Sequence, residues 1–364
     1  MSQTLPATQS ASVADGLDQQ SAIRNLKSAI GKLPRVRFAH LPTPLEEMVR
    51  LREALGEKAP RLFVKRDDLT GLAFGGNKVR HMEFRLADVL AKGCDTIIVA
   101  NVAQSNHARL HTALAARFGL TTYILKLPSK KDNPPNGNLL LDHILGARIV
   151  EASSADPEVV DRELTALVAK LEGEGRKVYN AVTDTFSKVA GTCGYLLAAM
   201  ELMEQLAAQG TRVDHIFMAA GSSTAGFALA NKLLGAGYQV HPVSVGGSKA
   251  EIEEQVCRLA NGVAALLEIE ERVGPNDFVA HDEYVGERYG VPTAAGLEAM
   301  ALAGRREGLV LDPVYTAKAF SGMIDQIRRG AIGPEETVVF VHSGGLPIVF
   351  AYSEEILEGM APAY

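Results

Sequence analysis

The chain has 364 residues, is 47% hydrophobic and 22% charged, contains no Trp and carries a formal net charge of −6. That length supports more than one buried core, and the negative balance, with Lys and Arg spread along the chain, excludes a general attraction to nucleic-acid phosphates. Cys94, Cys193 and Cys257 are odd in number and lack CxxC spacing, which argues against a disulfide framework or a zinc site and suits a reducing cytoplasm.

From the N-terminus, Met1–Gln20 is rich in Ser, Gln, Thr and Ala and lacks a basic start followed by an apolar stretch. It is therefore not a secretory signal, and residues 1–35 are expected to form a mobile tail. Short β-branched runs then predict strands at Leu62–Lys65, Thr96–Ala100, Thr122–Leu125, Arg148–Glu151, His215–Met218, Val240–Val245 and Val338–His342. Helical spacing predicts helices at Asn106–Phe118, Pro157–Glu172, Gly191–Ala208, Ala225–Leu234 and Glu251–Ile269. No apolar run approaches the roughly 18 residues a membrane span needs. The alternation predicts an α/β protein of parallel strands and crossover helices. With no interdomain linker in view, one lobe is expected to be inserted in the other, and a ligand to sit in the cleft beyond the carboxyl ends of the strands.

Three segments carry chemistry. Phe63–Arg80 reads FVKRDDLTGLAFGGNKVR, a strand and a glycine loop that present Asn77 and Lys78 at the edge of a helix. A Schiff-base lysine must be neutral to attack a carbonyl, and partial burial helps by lowering its pKa. Gly75 and Gly76, without Cβ atoms, would let backbone approach a flat ring. Taken alone, a lysine at this place is also read as a solvated helix start. The second segment, Gln104-Ser105-Asn106-His107, lies between a strand and a helix, where free N–H groups can hold a substrate carboxylate; an N-cap by Ser105 or Asn106 accounts for it equally, and both roles can coexist. The third, Val213–Gly226, reads VDHIFMAAGSSTAG. Strand, small-residue loop and helix make either an anion cradle at Gly221, Ser222, Ser223 and Thr224 or an ordinary turn with a cap.

The run KRDD…GLAFGGNK, from Lys65 to Lys78, closely resembles the 1-aminocyclopropane-1-carboxylate deaminase and D-cysteine desulfhydrase family, a branch of the fold-type II pyridoxal-phosphate enzymes related to the tryptophan synthase β subunit. Similarity extends, with gaps, from about Pro42 to the C-terminus. The resemblance implies a two-domain α/β fold in which each lobe is a mostly parallel sheet flanked by helices. Residues 36–80 and 190–364 are expected to form the large cofactor-binding domain and 81–189 the small one. It further implies that Lys78 is the cofactor-bearing lysine, that Asn77 bonds the phenolic oxygen of pyridoxal 5'-phosphate, and that Gly221–Thr224 cup its phosphate. Gln104, Ser105, Asn106 and His107 would bind substrate, with Ser105 also relaying a proton. The residues before this run, Asn101-Val102-Ala103, depart from the Gly-Ala-Ile or Gly-Gly-Ile common in relatives.

In the segment from Tyr284 to Lys318, Tyr289 and Tyr315 match the two active-site tyrosines of the deaminases, although a buried tyrosine also serves as a hydrogen-bonded core residue. Thr316 follows DPVY where ring-opening deaminases carry a Glu facing the pyridine nitrogen and desulfhydrase-like relatives carry Thr. His342-Ser343-Gly344-Gly345 is likewise nearer the HTGG of desulfhydrases, whereas the phosphate loop has the shorter, deaminase-like length. The loop opening Asn180–Tyr195, NAVTDTFSKVAGTCGY, departs from the Pro-x-Gly-Gly-type turn of relatives. The resemblance thus implies a cytoplasmic homodimeric lyase, similar to D-cysteine desulfhydrase or a cysteate sulfo-lyase, that breaks a C–S bond to remove a β-substituent such as sulfide or sulfite from a small amino acid, giving pyruvate and ammonium. Ring-opening deamination to 2-oxobutanoate, amino-acid racemisation and a noncatalytic binding role are the competing readings, and no nucleic-acid or membrane partner is expected.

Overall fold

Two sheets divide the strands of the computed structural model, which describes residues 8–129, 131 and 134–360. The strands are β1 (Leu45–Glu47), β2 (Arg61–Lys65), β3 (Thr96–Val102), β4 (Thr121–Leu127), β5 (Arg148–Glu151), β6 (Val178–Asn180), β7 (His215–Ala219), β8 (Gln239–Val243) and β9 (Thr337–Val341). The helices are α1 (Thr8–Gly31), α2 (Val49–Leu55), α3 (Lys78–Ala91), α4 (Asn106–Phe118), α5 (Gly137–Ile144), α6 (Pro157–Gly173), α7 (Phe186–Ala208), α8 (Ser222–Leu234), α9 (Lys249–Leu266), α10 (Ala294–Glu307), α11 (Thr316–Arg328), α12 (Ile348–Ala351) and α13 (Ser353–Gly359).

One sheet runs β1-β2-β9-β7-β8, parallel except for the short edge strand β1. The other runs β5-β4-β3-β6 and is parallel throughout. Its strands all come from residues 96–180, between β2 and β7 of the first sheet, so the chain crosses between sheets twice. Central strands such as β7 and β9 are buried along their whole length, as expected of a parallel sheet covered on both faces. Helices α7, α8 and α9 pack on one face of the first sheet around Leu196, Phe227 and Val256, and α10 and α11 on the other around Ala303 and Phe320.

One expectation changes. Residues 19–31 are not a tail: Ile23, Leu26 and Ile30 lie on one face of α1 and are buried against α7 and α8. The spacing i, i+3, i+7 marks an amphipathic helix, a signal that lies beyond the polar first twenty residues. Positions 80/81 and 189/190 lie within α3 and α7. These two helices pack directly on each other, with Gly194 meeting the Arg80 backbone so closely that a Cβ there would lie 2.5 Å from the Arg80 carbonyl oxygen. Gly191, which meets His81, and Gly194 are therefore packing glycines within α7.

Among the described residues no helix is long and apolar enough to cross a membrane.

Candidate active site

The KRDD motif fixes the active lysine from below. Lys65 at the end of β2 is fully buried and donates to the Thr43 carbonyl at 2.7 Å, to Gln205 at 2.7 Å and to Glu201 at 2.5 Å. Arg80, two residues beyond Lys78, forks onto Asp67 at 2.8 and 2.9 Å and reaches Glu201 at 3.0 and 3.1 Å. The Tyr195 hydroxyl closes the network by donating to Asp67 at 2.7 Å. Such buried charges are tolerated because each is paired and hydrogen-bonded, and the result clamps β2, α3 and α7 together. The motif therefore supports the site without lining it.

Above this clamp the loop from Gly71 to Asn77 is pressed against the segment after β9. Gly76 has φ +114°, and a Cβ on Gly344 would sit 2.7 Å from the Gly76 Cα, so neither position accommodates a side chain. The Asn77 N–H donates to the Ser343 carbonyl at 2.9 Å, and Arg109 of α4 donates to the Gly75 carbonyl at 2.8 Å. Lys78 is thereby placed at the first position of α3, its Nζ 3.4 Å from Asn77 Oδ1. Burial, and then the positive charge of Arg85, push the Lys78 amine down from 10.5 to about 8. Near physiological pH roughly a fifth of such an amine is neutral, against about a thousandth of an ordinary lysine, and the neutral form is the one that acts as nucleophile or base.

Lys78 opens into a cavity of about 170 Å³ whose wall includes Asn77, Ser105, Asn106, His107, Gly221, Tyr289 and Tyr315. Eight of the residues singled out in the sequence thus meet around one space. Ser105 is the N-cap of α4, its hydroxyl accepting from the Ala108 N–H at 3.2 Å, so it serves as a cap and lines the cavity at once. Asn106 Oδ1 is engaged by Arg109 at 3.0 Å and by Asn138 at 3.0 Å. Gln104 does not line this cavity. Its amide is spent on the backbone of Asn136 at 3.0 Å and Asn138 at 2.9 Å, and it borders a separate mouth pocket with Lys131 and Tyr289.

At the start of α8, Ser222 Oγ lies 3.1 Å from His81 Nε2, while Ser223 and Thr224 are buried. Among the described residues the Thr224 hydroxyl has no hydrogen-bond partner, and Gly221 faces open space. An orphaned buried hydroxyl in the first turn of a helix is an unmet donor near where an anion is favoured. Pyridoxal phosphate fits this donor set: Gly221–Thr224 would hold its phosphate and Lys78 its aldehyde carbon.

Thr316 lies elsewhere. As the first residue of α11 it is buried, and its hydroxyl donates to Asp312 Oδ2 at 2.8 Å rather than lining the cavity. Asp312 also accepts the N–H groups of Val314 at 2.9 Å and Tyr315 at 2.8 Å, anchoring the DPVY turn that carries Tyr315. Ser343, from the segment after β9, joins the cavity wall instead. Ser343, Asn101, Val102 and Gly344 were not singled out as site residues. All four lie in segments already in view, HSGG and the Asn101-Val102-Ala103 run before QSN, and their lining role depends on the β9 and β3 carboxyl ends meeting in space.

Fold and site together define a cofactor-dependent enzyme of the doubly sheeted α/β type. The chain belongs to the pyridoxal-phosphate dependent enzyme family, whose pattern it matches over residues 36–344. It is 35% identical over 332 residues to the D-cysteine desulfhydrase of Salmonella typhimurium, covering 89% of this chain and 98% of that one, and equally to the one of Salmonella typhi. A crystal structure described as an ACC deaminase homologue matches with a TM-score of 0.81 at 31% identity, covering 92% of this chain and 99% of the other. Threonine deaminase isoform 2 from Solanum lycopersicum shares the fold at a TM-score of 0.63 and 16% identity, covering 93% of this chain and 88% of the other.

Proposed function

We propose that the enzyme eliminates a β-substituent from a small amino acid, giving pyruvate and ammonium. The observation that carries this reading is Lys78, an amine of depressed proton affinity set in one cavity with the capped N-terminus of α4 and the cup at Gly221. Kinship with proteins named D-cysteine desulfhydrase supports a sulfur leaving group.

The first turn of α4 has N–H groups without intrahelical carbonyls, and with Ser105 it holds the substrate carboxylate. Lys78 takes the proton from Cα. The electron pair left there forms the Cα–Cβ double bond as the β-substituent departs with its bonding pair, so no redox partner is required. The released 2-aminoacrylate hydrolyses to pyruvate and ammonium. When bound, pyridoxal phosphate supplies an anchor for the substrate amino group and an electron sink for the charge at Cα. Tyr315 and Tyr289, hydrogen-bonded to each other, stand by to protonate the departing group.

We further place the enzyme in the cytoplasm as a homodimer, the first supported by three cysteines that all remain unpaired and both by the family resemblance. Lys78→Ala tests the central reading. The purified wild-type protein should be yellow and form pyruvate from D-cysteine, cysteate or β-chloroalanine, and the variant should lose both the visible band and the product. Unchanged colour and turnover would refute it; 2-oxobutanoate from 1-aminocyclopropane-1-carboxylate, or racemisation without keto acid, would replace it.

A further inference from the structure

Lys318, the third residue of α11, is fully buried, and among the described residues no carboxylate lies within ion-pair distance of it. Its Nζ donates instead to three backbone carbonyls, those of Val285 at 2.7 Å, Arg288 at 3.2 Å and Val245 at 3.5 Å. Burial pulls the amine below the ordinary lysine range, and the charge of Asp312 works against that pull. An ammonium removed from water and met only by carbonyl dipoles is unfavourable, and a Met of similar volume would fill the space without the desolvation. The charge is kept for what it holds.

The segment it holds, residues 282–292, runs from the bridge between His281 and Val243 to the start of α10 without forming helix or strand, and it carries Tyr289. The Arg288 carbonyl belongs to the peptide group that joins Arg288 to Tyr289, so the ammonium grips the backbone beside that tyrosine. The Tyr284 hydroxyl ties the same segment to α11 a second time by donating to Asp325 at 2.6 Å. Helix α11 also bears Tyr315, its N-cap, one turn before Lys318. Lys318 thus fixes the loop of Tyr289 relative to the helix of Tyr315, whose hydroxyl bonds that of Tyr289. Its third acceptor, Val245, precedes Gly246, where a Cβ would lie 2.7 Å from Tyr289 Cβ. Tyr289 keeps part of its surface exposed, and a side chain on an irregular loop has conformational freedom that these contacts remove before substrate arrives.

We infer that Lys318 is a positioning residue for the reaction: its ammonium locks the 285–288 backbone to α11 and so holds the Tyr289 hydroxyl against that of Tyr315. The inference rests on the elimination reading, in which the two phenols protonate the departing group, and adds the residue that keeps them paired.

Lys318→Met keeps most of the side-chain volume and removes the charge. On holoenzyme, well below its melting temperature and counted per bound cofactor, kcat for pyruvate from D-cysteine should fall roughly 10- to 100-fold, the scale of a reacting group displaced by about an ångström. KM should stay within about threefold, because Lys318 does not touch the α4 turn. The loss should be smaller for β-chloroalanine, whose chloride departs without a proton. In a Tyr289→Phe background the same substitution should lower kcat by less than about threefold more, since the phenol it positions is already gone. Amide hydrogen exchange of residues 284–290 should quicken in Lys318→Met. Where Lys318→Met yields no folded protein, Lys318→Gln, which keeps N–H donors of shorter reach, is read in the same way. A variant that melts earlier yet turns D-cysteine over at the wild-type kcat overturns the inference and leaves Lys318 a core residue. So does a loss that multiplies with that of Tyr289→Phe or falls equally on both substrates. Should the wild type form no pyruvate, the elimination reading fails; faster exchange at 284–290 in Lys318→Met then still supports the clamp, and unchanged exchange overturns it.

Discussion

The hydroxyl of Tyr315, at the head of α11, hydrogen-bonds the hydroxyl of Tyr289 across the cavity, with the rings 5.9 Å apart and edge to face. Burial, and then the neighbouring Tyr289, hold the Tyr315 phenol well above the usual tyrosine range, and burial raises Tyr289 too, so both keep their protons. Two protonated phenols in hydrogen-bond contact make one relay. Tyr289→Phe and Tyr315→Phe should therefore each lower kcat by roughly 10²-fold, and the double variant should be no worse than the weaker single. Losses that multiply in the double variant, measured by pyruvate release at saturating substrate, would show two independent roles.

The unpartnered Thr224 hydroxyl makes a prediction of opposite signs in two states. Removing a buried donor that bonds nothing relieves a desolvation cost, so Thr224→Val should leave the apoprotein as stable as the wild type or raise its stability by about 1 kcal/mol. With pyridoxal phosphate bound, the same change removes a hydrogen bond to a charged group and should weaken cofactor affinity by roughly 10–100-fold. Melting of apoprotein and cofactor titration on the same samples decide it. A drop in apoprotein stability with unchanged affinity would place the hydroxyl in the core instead of the cup.

Much of this site was legible because its motifs are local. The strand-to-helix turns at Lys78, Ser105 and Gly221 were read from short stretches, and the seven predicted strands all occur with small shifts at their ends. β1 and β6 have three residues each and escaped, since periodicity needs length to show. α1 escaped because the polar first twenty residues masked the Ile23, Leu26 and Ile30 stripe behind them. Gln104 and Thr316 were expected at the site, yet their polar atoms are taken up by the backbone at 136–138 and by Asp312. No spacing rule shows which way a side chain turns at the end of a strand. Arg85, His111 and Arg109 lie behind the cavity through contacts between α3, α4 and the glycine loop, which only the packed structure brings together.

Lys78 should titrate in the apoprotein near pH 8. Its folded pKa lies below the ordinary 10.5, so the neutral, reactive amine gains population as pH rises through about 8. The rate of reconstitution with pyridoxal phosphate should then climb between pH 7 and 9 and level off, according to stopped-flow absorbance. Arg85→Met removes one of the two causes of the depression and should move the midpoint upward. A midpoint above 10 in the wild type would mean the amine is not enclosed as described.

Asp142 of α5 is buried with a single side-chain partner among the described residues, the Thr112 hydroxyl at 3.0 Å, and burial raises its carboxyl from 3.8 to about 7 against the weaker pulls of that hydroxyl and Arg109. A folded pKa above the unfolded one means that the fold prefers the protonated acid. The stability this confers is complete below about pH 4 and is lost as pH rises through 7, because the unfolded chain ionises freely and the folded one does not. At about 1.4 kcal/mol per unit, the loss is at most roughly 4 kcal/mol. Asp142→Asn keeps an acceptor for Thr112 and cannot ionise, so it should match the wild type at pH 4 and exceed its Tm at pH 8. Thermal melts of the holoenzyme at the two pH values measure the difference, and a variant no more stable at pH 8 than at pH 4, relative to the wild type, would show that Asp142 ionises in the fold without cost.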